Sequence, residues 1–223
     1  MVIDIKNISK KYGKKQVLKD VTFSAKSGEC IGVIGANGCG KSTLLSILAG
    51  VQRADGGEFL CDGRDLLTLD KLRSTAVGYV PQGTPLLEEL NAYDNLFLWY
   101  DKKTLEKELS GGMLDTLGIN EFLRVRVSRM SGGMKKRLSI GCALANYPPV
   151  LLLDEPMSAL DIACKQKIKD YLKDYKSKGG ILILVTHDVL ELELCDRCYI
   201  IKNGATQPFD YSGDTVELVR EIS

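Results

Sequence analysis

The stretch Gly35-Ala36-Asn37-Gly38-Cys39-Gly40-Lys41-Ser42-Thr43 constrains this chain more than any other, because it joins an apolar run, Cys30 to Ile34, to a helix-like segment, Leu44 to Leu48. The pattern G-x-x-x-x-G-K-S places glycines where the backbone turns through conformations that other residues resist, so that successive N–H groups point inward at phosphate oxygens. The following helix adds the positive end of its dipole. Lys41 is expected to reach the β and γ phosphates as a point charge, Ser42 to ligate a bridging magnesium ion, and Thr43 to add one more contact. Such a cradle defines a ligand class and leaves the function open.

The rest of the chain supplies the sheet that such a loop requires. Short strands are expected at Val2 to Ile5, Val17 to Leu18 and Val21 to Ala25, forming an antiparallel flap ahead of the cradle. Glu58 to Cys61 and Val77 to Val80 read as further strands. Buried strands return at Val150 to Leu153, Ile181 to Val185 and Tyr199 to Ile201, separated by helices over Ile162 to Tyr175 and up to Leu194. Alternating apolar strands and amphipathic helices predict an α/β fold with a mostly parallel sheet covered by helices. From about Thr84 to Pro149 the texture becomes leucine-rich and helical, with periodicity at Asn91 to Tyr100, Leu105 to Leu117 and Arg137 to Leu144. The organisation expected is one domain, with a nucleotide-binding core at 1–83 and 150–223 and an inserted helical subdomain at 84–149.

Composition narrows the partners. Thirty Lys plus Arg against 29 Asp plus Glu leave no basic excess, so no nucleic-acid partner is expected. No apolar run approaches the roughly 18 residues that span a bilayer. The start, Met1 to Lys6, alternates like a strand and lacks the features of a signal peptide, which predicts a cytoplasmic protein. Seven scattered cysteines read as reduced thiols. Cys195-Asp196-Arg197-Cys198 has C-x-x-C spacing but lacks the second pair that a structural zinc site needs. Cys39 lies inside the cradle, and its alkylation is expected to block nucleotide binding.

Three strand ends carry further chemistry. Val150 to Leu153 leads into Asp154-Glu155-Pro156, where Asp154 can hold the metal and Glu155 can orient and deprotonate the water that attacks the γ-phosphate. Ile181 to Val185 ends at Thr186-His187, the only histidine, placed to reach the γ-phosphate. Gln82 follows a third strand and offers a carbonyl to magnesium or to the attacking water.

Between them lies Met130-Ser131-Gly132-Gly133-Met134-Lys135-Lys136-Arg137-Leu138, a turn opening a basic helix. With this segment in place, residues 1 to 205 resemble the ATPase subunit of ATP-binding-cassette (ABC) transporters. Walker A matches 35 to 42, the Q-loop 82, the signature 130 to 134, Walker B 150 to 155, the D-loop Ser158-Ala159-Leu160-Asp161 and the H-loop His187. The resemblance implies a P-loop NTPase core that binds ATP and Mg2+. It implies that Tyr12 stacks on adenine, and that Ser131 and Gly133, with Gly132 and Met134 beside them, close on ATP held by a second ATPase subunit. Asp161 would link the two sites across that dimer.

The usual signature ends in glutamine; Met134 stands here, as in relatives resembling the exporter branch. Leu109-Ser110-Gly111-Gly112-Met113 nearly copies the signature but lacks the following basic helix, and is expected to be incidental. What the resemblance implies overall is a cytoplasmic ATP-hydrolysing subunit, peripheral on the inner face of the membrane through an integral membrane permease, and of export direction by Met134 and the short helical subdomain. The docking groove is expected around Tyr93, Leu96, Phe97, Trp99 and Tyr100. The tail after Gly204 reads as compact, with little room for a regulatory domain. A nontransport assembly ATPase, such as one serving an iron–sulphur scaffold, is the alternative; a binding module without turnover is disfavoured by Glu155, His187 and Gln82.

Overall fold

The computed structural model describes residues 1–158, 160–211, 213 and 215–222. Ala159 of the expected D-loop lies outside the described residues. Among the described residues ten strands form one sheet, in the order β5-β4-β1-β2-β10-β9-β3-β8-β7-β6. The antiparallel edge comprises β1 (Val2–Tyr12), β2 (Lys15–Lys26), β4 (Gly56–Cys61) and β5 (Arg64–Asp65). The flap strands expected to be separate at Val17 to Leu18 and Val21 to Ala25 are one continuous β2.

The other half is a row of parallel neighbours: β9 (Arg197–Lys202), β3 (Cys30–Ile34), β8 (Ile181–Val185), β7 (Val150–Asp154) and β6 (Val77–Val80). Strands β3, β7 and β8 are buried along their whole length, which their unbroken apolar runs require of parallel strands covered on both faces. Their side chains alternate between two cores. Leu151, Leu153, Leu182 and Leu184 point into one, Val150, Leu152, Ile181 and Ile183 into the other.

The second core also holds Leu44, Leu45, Ile47 and Leu48 of α1 (Lys41–Leu48), together with inward residues of β1 and β2. The first is covered by α3 (Ala92–Phe97), α4 (Lys102–Leu109), α5 (Met113–Thr116), α6 (Gly132–Ala143) and α7 (Ile162–Ser177). The short α2 (Asp70–Ala76) precedes β6, and α8 (Val189–Leu192) follows β8. The helix expected over Leu105 to Leu117 is two helices, because Gly111 turns at φ 101° and α4 ends before it. The tail after Gly204 contains β10 (Ala205–Phe209), which pairs with β9, and α9 (Thr215–Ile222).

Register places the carboxyl ends of the parallel strands level with one another. Val33 pairs with Val185, Asp154 with Val185, and Val80 with Leu153. The segments that follow, at Gly35, Gln82, Glu155 and Thr186, therefore emerge side by side, where open α/β sheets bind ligands.

Candidate nucleotide site

The loop between β3 and α1 is shaped by glycine. Gly35, Gly38 and Gly40 take φ values of 146°, 76° and 112°. A Cβ on Gly40 would lie 2.6 Å from Leu18 Cδ2 and 2.9 Å from Val17 Cγ1, so a side chain there meets both strain and a wall. Lys41 is 8% exposed, and its ammonium donates to the carbonyls of Gly35 at 2.7 Å and Ala36 at 3.0 Å, arching over the loop. The first turn of α1 has no side-chain cap, which leaves its N–H groups for an outside acceptor. Asn37, Gly38 and Cys39 border a cavity of about 570 Å³ shared with Lys15, Lys202 and Asn203.

Three strand ends meet at Glu155. Its Oε1 lies 3.2 Å from His187 Nδ1, and its Oε2 accepts from Gln82 Nε2 at 3.1 Å. Glu155 holds a left-handed backbone, φ 48°, and its N–H donates to the Val185 carbonyl at 2.9 Å. A non-glycine residue in that region is strained, and here the strain aims a carboxylate between the two neighbouring strand ends. The Gln82 amide uses its nitrogen on Glu155, so its carbonyl oxygen is left for a cation.

Asp154 is 2% exposed. Burial pushes its carboxyl above the usual range; the Ser42 hydroxyl, Lys136 and Lys41 pull it down, while Glu155 adds to the rise. This buried charge is compensated only in part, which suits a divalent cation beside it. The donors gathered here, the Ser42 hydroxyl, the Asp154 carboxylate and the Gln82 carbonyl, are all oxygens, the preference of a hard ion such as Mg2+. Among the described residues no cluster of three His, Cys, Asp or Glu could hold a metal instead.

Glu191 was not legible as a site residue. It lies on α8, 1% exposed, and its Oε1 accepts from the Met157 amide at 2.8 Å. Burial raises its carboxyl to about 7, against the pull of Thr186 and the Met157 N–H. In sequence it is one of two glutamates spaced between leucines and reads as a solvated helical residue.

Other expected residues lie apart from this cluster. Ser131 caps α6, accepting from the Met134 N–H at 3.2 Å, and both Ser131 and Gly132 are exposed. Asp161 caps α7, accepting from the Cys164 N–H at 2.8 Å, and the Cys164 thiol donates to the Gly133 carbonyl at 3.7 Å. Tyr12 is 46% exposed at the end of β1; its hydroxyl donates to Gln52, and Lys10 Nζ stands 5.8 Å from its ring centre. The near-copy of the signature has a different local structure. Ser110 ends a helix where Ser131 begins one, and a Cβ on Gly112 would strike Glu108 at 2.5 Å.

One buried ammonium connects α6 to the end of β6. Lys136, 5% exposed, donates to the carbonyls of Pro81 and Gln82, each at 3.1 Å. Burial pushes its pKa down, opposed by the carboxylates of Asp154, Glu191 and Glu155. The aromatic stretch at 93 to 100 divides between core and surface. Leu96 and Tyr100 are buried, which removes them from the expected docking groove, while Phe97, Leu98 and Trp99 are 51%, 58% and 60% exposed. Trp99 walls an apolar cavity of about 560 Å³ with Val51, Tyr79, Pro81 and Leu86.

A family model described as ABC transporter matches residues 18–158. The spermidine/putrescine import ATP-binding protein PotA of Spiroplasma citri is 38% identical over 213 residues, covering 92% of this chain and 60% of that protein. The linearmycin resistance ATP-binding protein LnrL of Bacillus subtilis (strain 168) is 34% identical over 208 residues, covering 91% and 67%. The chain thus spans 60% of the first relative's length and 67% of the second's. A solved dimeric ATP-binding cassette, in a post-hydrolysis state bound to ADP and Pi, superposes with a TM-score of 0.81 at 29% identity, covering 93% of this chain and 98% of that one.

Proposed function

Because this chain belongs to the ABC transporter family, we propose that it is an ATP-hydrolysing subunit that dimerises around two ATP molecules and drives a separate membrane permease. The observation that carries the reading is Glu155 held between Gln82 and His187 beside the glycine cradle. In this reading Glu155 orients a water on the γ-phosphate and takes its proton, and His187 fixes the carboxylate and faces the transferring group. The cradle N–H groups and Lys41 bear the charge that develops on the phosphate oxygens. Ser42, Asp154 and Gln82 would hold Mg2+, which supplies charge neutralisation between the phosphates when bound.

Ser131 and Gly132 are exposed at the start of α6, with half-buried Gly133 and Met134 beside them, and suit a phosphate brought by a second copy or a close relative. Asp161 is the contact proposed between the two sites, and Tyr12 the stacking surface for adenine. Residues 84–149 act in this reading as the helical subdomain that carries the signature, and 1–83 with 150–223 as the core. The permease would seat on Phe97, Trp99 and the adjoining apolar cavity, bringing the subunit to the inner face of the membrane. No helix among the described residues is long and apolar enough to cross a membrane. Relatives named for spermidine/putrescine import and for linearmycin resistance favour transport over scaffold assembly, and Met134 favours export.

Glu155→Gln tests the reading. The variant is expected to bind ATP, release no phosphate and double in mass by light scattering when ATP is added; phosphate release at the wild-type rate would overturn the role of Glu155.

A further inference from the structure

Three of the seven cysteines converge against the first half of β3, the half that precedes the cradle's end of the strand. Cys30 opens that strand, Cys195 lies in the turn after α8, and Cys198 pairs across the ladder with Gly32. The Cys30 and Cys195 sulfurs are 3.7 Å apart. A Cβ on Gly32 would lie 2.9 Å from the Cys198 sulfur and 3.0 Å from the Cys195 sulfur. Both thiols of the C-x-x-C segment therefore rest over one glycine, and its missing side chain makes room for them.

The three thiols differ in access. Cys30 is fully buried, whereas Cys195 and Cys198 line a cavity of about 510 Å³ with Arg197, Pro208 and Tyr211. Cys198 is only 7% exposed, which admits a small neutral oxidant and shuts out a protein disulfide. We propose that Cys198 and Cys195 are a peroxide-reactive pair, in which a hydroperoxide entering this cavity oxidises Cys198 and Cys195 closes a reversible disulfide with it.

The direction follows from the surroundings. The hydrogen bond from Cys195 favours the Cys198 thiolate, with help from the Gly32 N–H and against the effect of burial, while Cys195 is held protonated. The Cys198 thiolate attacks one peroxide oxygen; the O–O bond breaks, the other oxygen leaves as an alkoxide or hydroxide and takes up a proton, and Cys198 becomes a sulfenic acid. The Cys195 sulfur then attacks the Cys198 sulfur, forming S–S and expelling the hydroxyl, which leaves as water with the Cys195 proton. The peroxide accepts two electrons and the pair of thiols supplies them. The Glu191 carbonyl, 3.6 Å from the Cys195 sulfur, is the alternative acceptor for the same S–H, and closing the disulfide removes that donor from α8.

The test is to expose the reduced full chain to stoichiometric hydrogen peroxide, alkylate the remaining thiols and map the peptides by mass. A Cys195–Cys198 disulfide that dithiothreitol reverses is expected, with the other five cysteines alkylated. Cys195→Ser is expected to leave Cys198 as a sulfenic acid that dimedone labels, and Cys198→Ser to slow oxidation of Cys195 by about tenfold or more. The wild-type map requires no variant to fold. A Cys30–Cys195 bond, or oxidation at Cys39 with 195 and 198 untouched, would overturn the proposal.

Discussion

The Glu191 carboxylate accepts the Met157 amide proton at 2.8 Å, joining the helix that follows His187 to the turn that follows Glu155. The strand ends that carry Glu155 and His187 are thus held together behind the candidate site by one side chain that is itself 1% exposed. Its environment makes that brace dependent on pH. In the unfolded chain Glu191 titrates at its ordinary value of 4.5, and in the fold burial raises it to about 7. Between these values the folded chain keeps a proton that the unfolded chain has lost. The associated stability is complete below 4.5 and is lost as pH rises through about 7.

Glu191→Gln keeps an acceptor for Met157 and has no proton to lose. Relative to this variant, the wild type is expected to lose on the order of 2 to 3 kcal/mol of unfolding free energy between pH 4.5 and 8. Urea unfolding without nucleotide measures the difference. Parallel pH curves for the two proteins would show that Glu191 titrates alike in the folded and unfolded chains.

Ser131→Arg is expected to abolish phosphate release, since a long cation would fill the exposed start of α6. Ser110→Arg, at an exposed helix end where a cation is tolerated, should release phosphate within about twofold of wild type. Steady-state assays on the two variants discriminate the true signature from its near-copy, and the reverse pattern would exchange their roles.

Gly40→Ala combines a disfavoured φ of 112° with a Cβ 2.6 Å from Leu18. A loss of roughly 1 to 3 kcal/mol in stability is expected, together with weakened ATP binding. Thermal unfolding and nucleotide titration read the two effects. Ala36→Gly, which adds no atoms, provides the control for stability.

Replacing Phe97 and Trp99 by aspartate leaves the core intact, because both side chains are more than half exposed. The double variant is expected to bind ATP as wild type does and to lose copurification with a membrane partner. Retained copurification would place the permease contact elsewhere.

Much of the parallel half was legible because its strands are buried on both faces, and Val150 to Leu153 and Ile181 to Val185 therefore appear as unbroken apolar runs. The cradle was legible because its glycines are required locally. What escaped notice depends on contacts distant in sequence. β10 contains Pro208 and reads as loop, yet it forms through antiparallel pairing with β9. Glu191 resembles a surface glutamate until the fold brings Met157 above it. Within Asn91 to Tyr100 the aromatic content was apparent, but only the orientation of α3 separates buried Leu96 and Tyr100 from exposed Phe97 and Trp99.

Lys136 gives the α6 helix a second point of attachment, little more than a turn in from its exposed start. Five residues beyond Ser131, about 7.5 Å along the helix axis, its ammonium grips the backbone at Pro81 and Gln82. If a second subunit meets that exposed start as proposed, the helix is a strut between it and the amide that steadies Glu155. In the proposed dimer this buried charge would link the two half sites on opposite molecules.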